Sequence, residues 1–244
     1  MRNIKLVIEY KGTNYAGFQK QPDQPTIQEA LEKALSMMLQ EKVEIIAAGR
    51  TDAGVHAKGQ VANLLTASDM DLGRMRWSAN SLLPGDVVIK EAIQVSDNFH
   101  ARRDAVSREY RYSILNRDYP SAFWNDFSYF YPRRLNAEAM QEAVRSLVGK
   151  HDFSSFCVAE SRPDNPVRHM QSISVERKND FVHFDFQANA FVHNMVRVIV
   201  GTLVQVGAGE LEPEKMRSIL EAKDRTQAGP TAPAKGLVLV KVNY

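Results

Sequence analysis

Apolar and polar residues alternate from Ile4 to Tyr10, the two-residue rhythm of a half-buried strand. Thr26 then predicts a helix N-cap, and Glu29 three residues later completes a capping box. Ile27, Ala30, Leu31, Ala34, Leu35 and Met38 follow at helical spacing. Val43 to Ala48 and Gln60 to Thr66 read as strands. Leu72 to Leu83 reads as a helix closed by Pro84-Gly85, and Val87 to Val95 as a further strand. The order β-α-β-β-α-β is the split ferredoxin-like pattern.

The second half follows a similar order. Glu109 to Leu115 is a strand, and Asn136 caps a helix that runs through Leu147 and stops at Gly149. Ser172 to Arg177 and Phe181 to Phe186 form a hairpin around Asn179-Asp180. Phe191 to Val206 and Glu212 to Ala222 read as helices, and Gly236 to Val242 as the closing strand. The expected fold class is therefore α+β: two ferredoxin-like halves, residues 1–104 and 105–244, packed together around a mainly antiparallel sheet with a central cleft. Element order alone carries the duplication, since no residue-by-residue repeat accompanies it. An aromatic-rich insert with Phe123, Trp124, Phe127, Tyr129, Phe130 and Tyr131 lies between Pro120 and Pro132.

Composition narrows the classes. Apolar residues make up 44% of the 244, enough for a core, and a single cysteine, Cys157, leaves no internal disulfide and no CxxC metal site. The first residues lack the apolar core of a signal peptide. The most apolar stretch, Phe191 to Val206, is too short and too interrupted to span a bilayer. A soluble cytoplasmic protein without a membrane partner is expected. Net charge is only +2, but Phe99 to Arg117 holds five arginines (Arg102, Arg103, Arg108, Arg111, Arg117) against two acids. Such a patch either pairs with surface carboxylates or binds phosphate.

Chemistry concentrates in Gly49-Arg50-Thr51-Asp52-Ala53-Gly54-Val55-His56-Ala57, between two predicted strands. An acid, a base and a glycine free to turn sharply fit a functional loop. They also fit an Asp-Gly turn that merely joins strands. Arg50 is two residues before Asp52, so in an extended stretch both project from one side. Arg197 lies on a largely apolar helix, in one stripe with His193 and Gly201. A guanidinium there needs an anionic partner, because leaving it unpaired costs on the order of several kcal/mol. Asp52 is the candidate, and a structural salt bridge to some other acid is the alternative. The histidines lack a ligand arrangement, and no metal is expected.

The glycine-arginine-aspartate loop resembles the signature of tRNA pseudouridine synthases of the TruA type. So do three other segments in the same order: Leu6 to Gln19, Asn98 to Arg102 with Ser107 to Tyr112, and Phe191 to Arg197. The resemblance implies isomerisation of uridine at positions 38, 39 and 40 of the tRNA anticodon stem-loop, by a homodimer and without a cofactor. It places the catalytic carboxylate on Asp52, the residue that contacts the target base on Tyr110, and the ion-pair arginine on Arg197. Arg50 would touch phosphate or steady the flipped base. The reaction moves no electrons and no phosphoryl group, so neither a nicotinamide nor a nucleotide is required. Two other classes share the pattern: a non-catalytic ferredoxin-like RNA-binding module, and a small-molecule enzyme such as a hydrolase. A carboxylate in a basic groove argues against the first, and the basic, aromatic middle segment against the second.

Overall fold

The computed structural model describes residues 1–244, with side chains for all but Ala159. The chain divides into two compact units, Met1–Val106 with Leu239–Tyr244, and Ser107–Val238. Each combines antiparallel strands with helices, a mixed α+β architecture.

The first unit runs β1 (Arg2–Tyr10), α1 (Ile27–Leu39), β2 (Ile46–Ala47), β3 (His56–Thr66), α2 (Leu72–Leu82) and β4 (Val87–Val95). β1 pairs with both β3 and β4, so that Leu6 sits opposite Ala62 on one side and Ala92 on the other. The alternation along β1 buries Ile4, Leu6, Ile8 and Tyr10 on one face, and α1 and α2 bury Ile27, Leu31, Leu35, Met75 and Ala79. Thr26 caps α1, its Oγ1 accepting from the Glu29 amide at 3.3 Å. On the far side of β3, β2 pairs through Ile46 and Ala47. There too lies β10 (Leu237–Asn243), whose residues from Leu239 belong to this unit.

Two differences from the sequence reading stand out in this unit. The strand expected over Val43 to Ala48 shrinks to Ile46–Ala47. Side chains of α1 take the amides a ladder would use: Val43 N–H donates to Ser36 Oγ at 2.9 Å and Ile45 N–H to Glu32 Oε1 at 3.0 Å. The closing strand is the second difference. Its periodicity predicts a strand but not the sheet it joins, and its last residues complete the first unit rather than the second.

The second unit runs β5 (Ser107–Leu115), β6 (Tyr129–Phe130), α3 (Ala137–Val144), β7 (Gly149–Asp152), β8 (Val167–Lys178), β9 (Phe181–Ala188), α4 (Met195–Gly207) and α5 (Lys215–Ala222). The strand order is β5-β9-β8-β7, antiparallel throughout, with the short β6 alongside β5 in parallel. The hairpin between β8 and β9 turns at Asn179, whose φ of 53° is left-handed. Tyr112, Phe184, Phe186, Met140, Ile199 and Leu203 fill the core. α4 starts four residues later than its apolar run predicts, because Asn194 adopts φ 61° and closes the preceding loop. His193 therefore lies outside the helix and shares no stripe with Arg197. No helix among the described residues is long and apolar enough to cross a membrane.

Candidate active site

Asp52 and Arg50 sit in the first unit, on the loop that leads into β3. Thr51 between them turns inward and is buried, while Arg50 is exposed and Asp52 half-buried. The Thr51 hydroxyl lies 2.7 Å from the buried Tyr10 hydroxyl. Gln60 Nε2 reaches that tyrosine at 3.5 Å and donates to the Gly49 carbonyl at 3.0 Å. Burial pushes the Tyr10 hydroxyl up to about 12 against the pull of these two hydrogen bonds, so it stays protonated. The inward residue thus anchors the loop and leaves its neighbours facing outward.

A second brace comes from the segment after β1. Phe18 N–H donates to the Thr51 carbonyl at 3.0 Å, Gly54 N–H to the Tyr15 carbonyl at 3.3 Å, and Val55 N–H to the Asp52 carbonyl at 3.1 Å. The two backbones approach so closely that side chains are excluded. A Cβ on Gly12 would stand 2.0 Å from the Val55 carbonyl oxygen. One on Gly17 (φ +111°) would stand 2.8 Å from that of Thr51. Gly54 itself is left-handed at φ 77°. His56 is buried and accepts from the Gly12 amide on Nδ1 at 3.0 Å, a structural contact.

Tyr110 and Arg197 sit in the second unit. Tyr110 and Tyr112 share a face of β5, yet their surroundings differ. Tyr112 is fully buried and donates to the Pro233 carbonyl at 2.7 Å. Burial drives its hydroxyl well above the usual range, partly offset by the Arg197 charge. Tyr110 is half-buried, with the Phe191 ring edge-on at 4.9 Å. Arg197 lies in the first turn of α4, where Nε donates to the Ala232 carbonyl at 2.8 Å and Nη1 to Asn194 Oδ1 at 2.6 Å. The segment that supplies Ala232 packs directly on the helix: a Cβ on Gly201 would come within 1.7 Å of the Pro230 carbonyl oxygen.

The arginine-rich stretch separates into different fates. Arg111 makes a bidentate pair with Asp185 at 2.7 and 2.9 Å, and Arg117 pairs with Asp180 at 3.2 Å and stacks on Tyr119. Arg108 donates to the Asn189 carbonyl at 2.7 Å. Carboxylate pairing thus accounts for Arg111 and Arg117, whereas Arg102 and Arg103 are exposed. Sequence reasoning missed the bracing roles of Thr51, Tyr10 and Gln60. The one signal for Tyr10 and Gln60 was polarity at strand positions that a core should fill with apolar residues.

The chain matches the family model described as tRNA pseudouridine synthase over residues 6–104 and 143–244. It is similar to tRNA pseudouridine synthase A of Acetivibrio thermocellus, at 45% identity over 244 residues and the full length of both chains. The same enzyme of Thermoanaerobacter sp. (strain X514) is 42% identical, again over the full length of both. That of Vibrio campbellii is 46% identical over 241 residues, 99% of this chain and 91% of that one.

Proposed function

Since the chain belongs to the tRNA pseudouridine synthase family, on its TruA branch, and is thereby an isomerase acting on tRNA, we propose that Asp52 is its catalytic carboxylate. The reading places the target uridines at positions 38, 39 and 40 of the anticodon stem-loop. It requires no cofactor and has the enzyme act as a cytoplasmic homodimer of two ferredoxin-like halves. One observation carries the assignment of Asp52. Two glycines, a buried tyrosine and a glutamine all brace its loop, yet Asp52 is itself left half-buried with an exposed arginine two residues away. A loop that only joined strands would need no such bracing.

Pseudouridine formation breaks the N1–C1′ bond, turns the uracil, joins C5 to C1′ and releases the C5 proton to water. The base must first leave its stack, which opposes binding by roughly a few kcal/mol. Tyr110 offers a half-exposed ring for the flipped uracil to stack on. An ionised carboxylate opens the reaction by attack at C6, by attack at C1′, or by removal of the C2′ proton. Desolvation by a bound base disfavours that charge, and a nearby guanidinium restores it. Arg197 fits the task because its Nε and Nη1 are fixed by Ala232 and Asn194. Arg50 contributes a phosphate or base contact from the same loop.

The test uses full-length protein and unmodified tRNA tritiated at uracil C5, with nothing else added. Wild type should release the label to water at the anticodon stem-loop uridines. Asp52→Asn should bind tRNA normally while the rate falls by about 10³-fold or more. Normal turnover in that variant would overturn the assignment.

A further inference from the structure

Away from these residues, the second unit gathers cations around one buried thiol. Arg168, near the start of β8, is half-buried. Its Nη1 donates to the carbonyls of Asn165 and Val167, each at 2.8 Å, and its Nε is buried with no hydrogen-bond partner. Burial pulls this guanidinium down. A buried guanidinium N–H with no acceptor favours a bound anion that can supply one.

Arg162, exposed on the preceding loop, bears on the same point. Burial pushes the Cys157 thiol up, while the His193 amide and the charges of Arg162 and Arg168 draw it back. The thiol remains protonated at neutral pH, so it is not the missing anion. Nearby acids are committed or open to water: Asp152 is held by Ser154 and Lys223 and also feels the Arg162 charge, and Glu160 and Asp164 are exposed.

A polar chain ties this cluster to Arg197. Asn194 Oδ1 accepts from Arg197 Nη1 at 2.6 Å, which turns its Nδ2 toward His193 Nε2 at 3.4 Å. With Nε2 accepting, the ring proton sits on Nδ1, 2.5 Å from Ser161 Oγ. α4 also begins here, without a side-chain cap on its positive end.

We propose that Arg162 and Arg168, with Ser161 and His193, form a seat for one backbone phosphate of the tRNA next to the target nucleotide. The placement rests on Arg197 belonging to the catalytic site, as read above. An RNA phosphate suits the seat: it presents a single negative charge with two free oxygens, and the enzyme's substrate carries one at every nucleotide. Two guanidiniums and a hydroxyl match that group.

The test uses full-length Arg162→Ala, Arg168→Met and Arg168→Lys. Arg162 is exposed, and because its charge also acts on Asp152, the unfolding free energy of each variant is measured beside its affinity. Affinity for unmodified tRNA is measured against salt concentration. Removing either arginine should weaken binding about three- to tenfold and lower the salt slope by about 1, with Arg168→Lys recovering part of the loss. Synthetic anticodon stem-loops carrying one neutral methylphosphonate at a time then locate the contact. Wild type should lose affinity at a phosphate flanking the target, and Arg162→Ala should lose nothing further there. The seat is overturned if Arg162→Ala keeps the wild-type salt slope, or if both proteins give the same methylphosphonate profile. The two readings fail separately. Normal tritium release with identical profiles removes the seat alone. A phosphate that matters in wild type but not in Arg162→Ala, found without tritium release, supports the seat and removes the catalytic assignment.

Discussion

Gly17→Ala tests whether the Asp52 loop is held in place by close backbone contact. Gly17 has φ +111°, and an added Cβ would meet the Thr51 carbonyl oxygen at 2.8 Å and the Ala53 nitrogen at 3.4 Å. The backbone conformation alone disfavours alanine by about 1–2 kcal/mol. Overpacking against main chain adds about 1–3 kcal/mol. The total, about 2–5 kcal/mol, leaves a domain of ordinary stability folded. Part of the strain is relieved by pushing the loop outward, and a reacting group misplaced by 1 Å loses about 10²-fold in rate. Single-turnover tritium release should therefore fall by about 10- to 100-fold while tRNA affinity holds within about threefold. Gly209→Ala is the control: φ is +74° and nothing lies within 4 Å of its Cβ. It should lose about 1 kcal/mol of stability and keep full activity. If Gly17→Ala turns over at the wild-type rate, or if Gly209→Ala loses as much, the loop is not positioned by this contact.

Three further outcomes are expected. Tyr112→Phe leaves the Pro233 carbonyl without its donor and should lower unfolding free energy by about 1–3 kcal/mol in urea titrations, with kcat unchanged. Thr26→Ala removes the cap of α1 and should lower stability by about 1 kcal/mol, read as a fall in Tm of about 2–4 °C. Asp152 tests linkage. Burial pushes its carboxyl up, but the Ser154 hydroxyl and amide and the Lys223 charge outweigh that, so its net position is below the usual range. A carboxylate depressed in the folded state stabilises above its unfolded pKa, and that stability is lost as pH falls through the folded value. Asp152→Asn should therefore be less stable than wild type at pH 7, with the gap closing as both are acidified below about pH 4.

Much of this molecule was legible in its sequence because local physics decided it. Thr26 and Glu29 are sufficient to start α1, and the strand read over Val87 to Val95 has the bounds of β4. The failures lie where a contact distant in sequence overrode a local preference. Ser36 and Glu32 captured the amides of the Val43 segment, and Asn194 in a left-handed conformation ended the loop that helical periodicity had extended through. β7 went unread because Lys150, His151 and Asp152 form an edge strand with no apolar signal. At the site, the loop containing Arg50 and Asp52 stood out by composition. Its braces did not, since Gly12, Gly17 and Gln60 matter only for what they approach in space.

The placement of β10 also orders events during synthesis. β3 keeps part of one edge uncovered until Leu239–Tyr244 arrive, and those residues are translated after the whole of the second unit. The Asp52 loop feeds directly into that strand. The nascent chain therefore carries an open, adhesive strand border through most of its elongation. The Asp52 loop therefore leads into a strand whose other neighbour is made more than 170 residues later in the chain, so this edge of the first unit is completed by a long-range contact.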